Sequence, residues 1–121
     1  METEDNKIIA EFMQLEKTFK YNPKKIWLEY YIKENNSGSL YLPQEMQYDK
    51  SWDWLIPVIE KIETLGYKFE KNYQPIDKDW QSLIVKGNDI LFQEFSENSL
   101  DSSCYVVVQF IKQYNNHFHN N

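Results

Sequence analysis

The sequence contains no arginine, so all 13 of its basic residues are lysines. Arginine is the usual residue for bidentate recognition of phosphate or guanine, and its absence argues against that mode of binding. The single cysteine, Cys104, excludes an intrachain disulfide and predicts a reducing compartment. With only three glycines, there is little material for a phosphate-cradling loop. No apolar run has the length of a membrane span.

The composition is that of a globular protein. The chain has 121 residues, of which 41% are hydrophobic and 26% are charged, and this length fits one domain over residues 1–121. Residues 115–121 are predicted to form a frayed polar tail. The start, METEDNKIIAEF, is acidic and lacks the basic and apolar segments of a signal peptide, so we expect a cytoplasmic protein. The net charge of −6 repels bulk nucleic acid unless lysines cluster.

Hydrophobic spacing in the first half predicts a helix, a strand and a loop. Asn6–Lys17 has apolar residues at helical spacing, and Thr18–Ile32 is rich in aromatic and β-branched residues. Asn22-Pro23 breaks this strand, whose best part is Ile26–Ile32. The Asn, Ser, Gly and Pro of Lys33–Gln44 predict a loop.

The stretch YDKSWDWLIPVIEKIETLGY, residues 48–67, predicts a second helix from Trp52 to about Leu65. Ser51 is a good N-cap, and Gly66 is a good residue to follow the last turn. Pro57 costs roughly 3 kcal/mol in a helix interior. That cost shrinks if Asp53 is the true cap, and the alternative is a kink at the proline.

The second half predicts three strands and a last helix. Tyr67–Tyr73 alternates in polarity, and Trp80–Lys86 and Asp89–Phe95 flank Gly87-Asn88, which is a two-residue hairpin signal. A stripe along the last segment indicates a helix, and it consists of Leu100, Cys104, Val107, Val108, Ile111 and Tyr114. The predicted fold is α+β: a small antiparallel sheet of three to four strands with about three helices packed on one face, in the order α-β-α-β-β-β-α.

No pattern indicates catalysis, so we expect no catalytic residue, no metal site and no cofactor. Cys104 falls on the apolar stripe and is predicted to be a buried thiol rather than a nucleophile. The pair His117 and His119 lies in the polar tail and lacks the further ligands of a closed metal site. Asp53 and Glu60 resemble any solvated helix face. No small-molecule substrate is evident.

Two groups of residues are candidates for partner binding. In KTFKYNPKKIW, residues 17–27, lysines alternate with rings, which suits phosphates and unpaired bases. The alternative is an edge strand that lysines protect from aggregation. Trp52 and Trp54 are offset by about 200° on a helix, so one is expected inside and the other is packed under a loop or exposed. The partner-binding candidates are Lys17, Lys20, Tyr21, Lys24, Lys25, Trp27, Trp52 and Trp54.

Three segments together resemble a family of small phage and prophage proteins of the Bacteroidetes. They are IAEFMQLEK, residues 9–17; the central stretch, residues 48–67; and VVVQFIKQYN, residues 106–115. The family carries IAEFM-like, SWDWLMPVVEKIE-like and VVEFIKWYN-like motifs. The resemblance covers roughly a third of the chain, and the sequence departs from it at Ile56, where the family often has Met, and at Gln113, where it often has Trp.

The resemblance implies a non-enzymatic accessory protein that acts in the host bacterial cell. The class that it suggests is the anti-CRISPR inhibitors, with a host defence effector of the RNA-targeting type VI-B, or its guide RNA, as the partner. No membrane partner is expected. Two alternatives stay open: a structural or assembly protein that forms a homo-oligomer, and a small metal-dependent hydrolase using Asp53 or Glu60.

Overall fold

The computed structural model describes residues 3–24, 27–32 and 39–119. The chain divides into two compact units, Met1–Met46 and Gln47–Asn121, which we call the N-terminal and C-terminal units. The described residues form three α-helices and two antiparallel sheets of three strands each. The predicted α+β class is therefore confirmed, and the element order roughly matches. The difference is that the strands form two small sheets instead of one.

The N-terminal unit contains one helix and one sheet. Helix α1 spans Thr3–Phe12 and is followed by the strands of the first sheet and a short 3-10 helix. These are β1 (Glu16–Tyr21), β2 (Trp27–Ile32), β3 (Leu40–Tyr41) and the 3-10 helix Pro43–Glu45. Asn6, which is buried, donates from Nδ2 to the carbonyl of Pro43 at 3.0 Å and so ties α1 to the 3-10 helix.

Helix α1 ends earlier than its apolar spacing predicts. Gln14 adopts a left-handed conformation with φ of 57°. The amide of Gln14 donates to the carbonyl of Glu11 at 3.0 Å, and that of Leu15 donates to Ala10 at 3.1 Å. This pair of hydrogen bonds is the Schellman motif, which ends a helix by satisfying its last carbonyls. The prediction that the helix continues to Lys17 is wrong, because the chain reverses at Gln14 and enters β1 at Glu16.

The C-terminal unit packs two helices on one sheet. Strands β4 (Lys68–Gln74), β5 (Asp79–Lys86) and β6 (Asp89–Ser96) form the second sheet, with β5 in the centre. Helices α2 (Trp52–Thr64) and α3 (Ser99–His119) pack against this sheet and each other. The predicted meander and its Gly87-Asn88 turn are confirmed, and Gly87 takes the positive φ of 62° that suits glycine in such a turn.

Helix α2 has the predicted ends. Ser51 is the N-cap residue, with extended backbone, and Gly66 follows the last turn with φ of 100°. Asp53 is therefore a first-turn residue and not the cap, and Pro57 lies inside the helix. A proline at this place leaves the carbonyl of Asp53 without its usual intrahelical donor.

Helix α3 is capped by Asn98. The side-chain oxygen Oδ1 of Asn98 accepts hydrogen bonds from the amides of Leu100 at 2.8 Å and Asp101 at 3.3 Å. Four residues of the predicted stripe are buried, Cys104, Val107, Val108 and Ile111, whereas Leu100 and Tyr114 at its two ends are half-buried. Val106 and Phe110 are also buried. The helix runs to His119, so it includes most of residues 115–121.

Candidate functional site

The candidate site is the hairpin formed by β1 and β2. In an antiparallel pair, residues that lie directly opposite each other share a face of the sheet. Tyr21 pairs with Trp27, and Phe19 pairs with Glu29, so these four side chains lie on one face. Lys20 pairs with Leu28 and lies on the other face. Asn22-Pro23, predicted as a break within one strand, is part of the turn between the two strands.

The end of this hairpin carries three exposed aromatic rings, which we call the aromatic patch: Phe19, Tyr21 and Trp27. They expose 59%, 55% and 67% of their surface. The rings of Tyr21 and Trp27 touch, with centroids 5.2 Å apart and planes inclined by 54°. A cluster of large exposed apolar side chains on a small protein marks a surface for interaction with a partner.

At the other end of the same face, Lys17 is paired with carboxylates of its own unit. Its Nζ lies 3.2 Å from Oε1 of Glu29 and 3.7 Å from Oε1 of Glu11. The Nζ also lies 5.4 Å from the ring centroid of Tyr31. The hydrogen bond from Lys17 lowers the pKa of the Glu29 carboxyl. Lys17 is therefore ion-paired with Glu29 of the hairpin and with Glu11 of α1.

Tyr31 is the buried residue behind this ion pair. It has no exposed surface. Burial raises the pKa of the Tyr31 hydroxyl, and the neighbouring Glu29 carboxylate raises it further. Lys17, Glu29 and Tyr31 thus lie together at one end of the hairpin, and the other end carries the aromatic patch.

Lys20 and Lys24 are the two further candidate lysines that the structure describes, one near the end of β1 and one in the turn. Lys20 and Lys24 are exposed, and within the described part of the chain neither forms an ion pair. The backbone amide of Lys24 donates to Oδ1 of Asn22 at 3.0 Å, which shapes the turn. Lys25 lies outside the described residues. The structure therefore brings Tyr21 and Trp27 together on one face, with Lys20 on the other face and Lys24 in the turn.

The two candidate tryptophans belong to the C-terminal unit. Trp54 is buried, with 9% exposure, and its ring meets that of Tyr48 edge-on at 5.1 Å. Trp52 is half-buried, and the Nζ of Lys71 lies 4.2 Å from its ring centroid. The expectation that one tryptophan lies inside is met by Trp54. The ring of Trp52 faces Lys71 of β4. The alternative that this tryptophan packs under a loop concerns the predicted loop Lys33–Gln44, of which residues 33–38 lie outside the described residues.

The residues considered for catalysis lie as follows. Cys104 is fully buried, as predicted for a thiol on the apolar stripe. Asp53 and Glu60 are both exposed on α2. Among residues 3–24, 27–32 and 39–119, no three His, Cys, Asp or Glu residues are grouped so that they could hold a metal ion. In the same part of the chain, no helix combines the length and apolarity needed to cross a membrane.

Three residues of the hairpin face were not among the candidates: Phe19, Glu29 and Tyr31. Phe19 and Tyr21 are two positions apart, which is the spacing of one face of a strand, so the pattern contained this signal. Glu29 and Tyr31 are brought to Lys17 only by the register of the hairpin.

Comparison of the chain with protein-family models, curated proteins and solved structures finds no match.

Proposed function

We propose that the protein is a non-enzymatic binding protein that attaches to its partner through the aromatic patch of the hairpin. The observation that carries this proposal is the exposure of Phe19, Tyr21 and Trp27 side by side at the free end of a hairpin. The partner that the resemblance implies is a host defence ribonucleoprotein: the RNA-targeting type VI-B effector, or its guide RNA. Binding would inhibit that effector.

The patch offers enough apolar surface to contribute strongly to binding. An aromatic side chain buries ~150–250 Å² when fully covered, so the exposed parts of the three rings amount to roughly 270–450 Å². At ~25 cal/mol per Å², covering them yields about 7–11 kcal/mol before any cost of association. Association itself costs about 4–15 kcal/mol. The rings therefore act as anchors, and the rest of the interface must come from other contacts.

A partner that contains RNA suits the charges around the patch. Lys24 lies in the turn that follows Tyr21, and Lys20 lies on the opposite face of the same hairpin. Neither lysine has a carboxylate partner in the described part of the chain. Unpaired bases stack on aromatic rings while lysines neutralise the adjacent phosphates. The net charge of −6 disfavours contact with phosphates elsewhere on the chain, which would confine an RNA contact to the hairpin.

Co-purification tests the proposal. Tagged protein is mixed with the type VI-B effector, with and without its guide RNA, and retention is compared with that of a Trp27→Ala variant. A ring at the centre of an interface typically contributes about 2 kcal/mol, so we expect the variant to bind about 30-fold more weakly. Tyr105→Ala is the matched control, because Tyr105 is also exposed, at 46%, but lies on α3. The proposal is overturned if the protein binds the effector neither with nor without guide RNA, or if Trp27→Ala binds as tightly as wild type.

A homo-oligomer is the second candidate function, and the same patch favours it. Exposed rings at the end of a hairpin could cover each other in a symmetric dimer. Light scattering distinguishes the two functions. A defined oligomer that Trp27→Ala converts to monomer supports self-association through the patch, whereas a monomer at all concentrations supports a different partner.

A further inference from the structure

The C-terminal unit contains a cleft of about 470 Å³ on the side where α3 leaves the sheet. This volume falls in the range of ~300–1,000 Å³ that is typical of small-molecule sites. The lining residues come from the segment before β4, from the β5–β6 hairpin and from α3. They are Tyr67, Lys86, Leu91, Phe92, Phe110, Gln113 and Tyr114.

Aromatic rings make up most of the cleft wall. Phe110 is buried and lies in the middle, and the ring centroid of Tyr67 is 4.8 Å from that of Phe110, edge-on. The ring of Tyr114 lies nearly parallel to that of Phe110 at 5.7 Å, and Phe92 meets Phe110 edge-on at 6.3 Å. Rings prefer edge-on or offset stacked neighbours, so such a wall receives another flat ring well.

One cation stands at the cleft. The Nζ of Lys86 lies 5.1 Å from the ring centroid of Tyr67, and Lys86 is the only charged residue among the described lining residues. Within the described part of the chain, Lys86 has no carboxylate partner. Gln113 adds an exposed amide. In a chain with an excess of acidic residues, a cleft whose described charge is positive selects for an anion.

We propose that this cleft binds a flat aromatic molecule that carries an anionic group. The ring lies against the half-buried rings of Tyr67, Phe92 and Tyr114, and the anionic group lies beside Lys86 and Gln113. A simple aromatic carboxylate and a nucleoside monophosphate share this chemistry. The proposal does not depend on the hairpin or on its partner, because the lining residues that the structure describes all belong to the C-terminal unit.

Two fluorescent probes that differ in charge test the proposal on the full chain. Anilinonaphthalenesulfonate is flat and anionic, and N-phenylnaphthylamine has the same rings without the sulfonate. We expect the anionic probe to bind more tightly to wild type than the neutral one. Lys86→Gln should weaken the anionic probe about threefold to fivefold, as for the loss of an exposed ion pair, and leave the neutral probe unchanged. Lys50→Gln, which removes an exposed charge away from the lining residues, is the matched control.

A second variant tests the position of the site. Gln113 is exposed, so Gln113→Trp should fold and fill the cleft, and we expect it to reduce the binding of both probes at least tenfold. Amide-resolved NMR should place the shifts of the anionic probe at residues 86, 91, 92 and 113. Equal effects of Lys86→Gln and Lys50→Gln, undiminished binding to Gln113→Trp, or shifts confined to residues 19–27 overturn the proposal.

Displacement of the bound anionic probe distinguishes the two classes of ligand, an aromatic carboxylate and a nucleoside monophosphate. Indole acetate is added in one titration and adenosine monophosphate in the other, each in a buffer without phosphate. Displacement by the first alone indicates an aromatic carboxylate, and displacement by the second alone indicates a nucleotide. If neither displaces the probe at millimolar concentration, the proposed ligand chemistry is wrong.

Discussion

Replacement of Ser82 by alanine tests how the C-terminal unit holds α3 on its sheet. Ser82 lies on the central strand β5, and its Oγ is 2.8 Å from Oγ of Ser102 and 3.0 Å from Oγ of Ser103, both on α3. All three hydroxyls belong to fully buried residues. The hydroxyl of Ser102 donates to the carbonyl of Ser99 at 3.2 Å. Since each hydroxyl has one proton, the three hydrogen bonds form together only when Ser82 donates to Ser102 and Ser103 donates to Ser82.

This order of donors sets the size of the effect. Ser82→Ala removes two hydrogen bonds, each with a net value of about 1 kcal/mol, and it leaves the proton of Ser103 buried without its acceptor. Ser102 keeps its bond to Ser99. An orphaned buried donor costs ~1–3 kcal/mol, which includes the value of the bond that it has lost. We therefore expect Ser82→Ala to lower the free energy of unfolding by about 2–4 kcal/mol, about 1 kcal/mol for the bond to Ser102 and ~1–3 kcal/mol for the orphaned donor.

The triple variant Ser82→Ala, Ser102→Ala, Ser103→Ala provides the critical comparison. It leaves no hydroxyl of the group unsatisfied, and replacing both partners of a buried hydrogen bond by apolar groups is nearly neutral. Alanine also favours a helix over serine by up to ~0.7 kcal/mol per residue at the two positions on α3. The triple variant should therefore be more stable than Ser82→Ala alone and lie within about 1 kcal/mol of wild type.

Urea unfolding followed by tryptophan fluorescence measures these differences. Three of the four tryptophans, Trp52, Trp54 and Trp80, belong to the C-terminal unit, so the signal reports mainly on it. Ser51→Ala is the control, because the Ser51 side chain makes no capping hydrogen bond, and the change should be less than about 0.5 kcal/mol. A triple variant less stable than Ser82→Ala would refute the donor order and the reasoning that follows from it.

Three further predictions concern helix ends and pH. Asn98→Ala removes the side-chain cap of α3 and should cost about 1 kcal/mol in urea unfolding. Gln14→Gly should stabilise the N-terminal unit by about 0.5–1 kcal/mol, because glycine avoids the steric cost of positive φ but gains more freedom when unfolded. The pKa of Glu29 is lowered from 4.5, so its stabilising contribution is present above that pH and is lost as the pH falls through the folded value. Glu29→Gln should accordingly lose less thermal stability than wild type between about pH 6 and pH 3, as followed by far-ultraviolet circular dichroism.

Each of these three predictions has a clear opposite result. Asn98→Asp, which can still accept the two amide hydrogen bonds, should be nearly neutral, and an equal loss in both variants would contradict the capping role. A destabilised Gln14→Gly would mean that the glutamine side chain, and not the backbone turn, ends α1. Parallel pH curves for Glu29→Gln and wild type would show that the pair with Lys17 contributes nothing.

The elements predicted best are those whose signals are local. Gly66 and the Gly87-Asn88 turn have the backbone that only glycine adopts freely, so the ends of α2 and the β5–β6 hairpin could be predicted to within a few residues. The end of α1 could not, because Gln14 is not a residue that signals positive φ. Its left-handed turn is set by the hydrogen bonds of the Schellman motif, which spacing alone does not contain.

The candidate surface was predicted in composition but not in arrangement. The alternation of lysines and rings in residues 17–27 indicated a basic, aromatic strand. Only the register of β1 and β2 reveals that Tyr21 and Trp27 are partners, that Lys20 lies on the opposite face, and that Lys17 is engaged by Glu29. The aromatic cleft depends on long-range contacts such as that between Tyr67 and Phe110, a separation over which periodicity has no information.

The burial of Cys104 makes the chain suitable for site-directed labelling without removal of its natural thiol. Cys104 is the only cysteine and has no exposed surface, so a maleimide reagent cannot reach it while the C-terminal unit stays folded. A single exposed cysteine introduced as Lys24→Cys would therefore take a photo-crosslinker beside the aromatic patch with one-to-one stoichiometry. The partner of the hairpin then becomes identifiable by covalent capture from a native mixture, with the wild-type chain as a control that remains unlabelled.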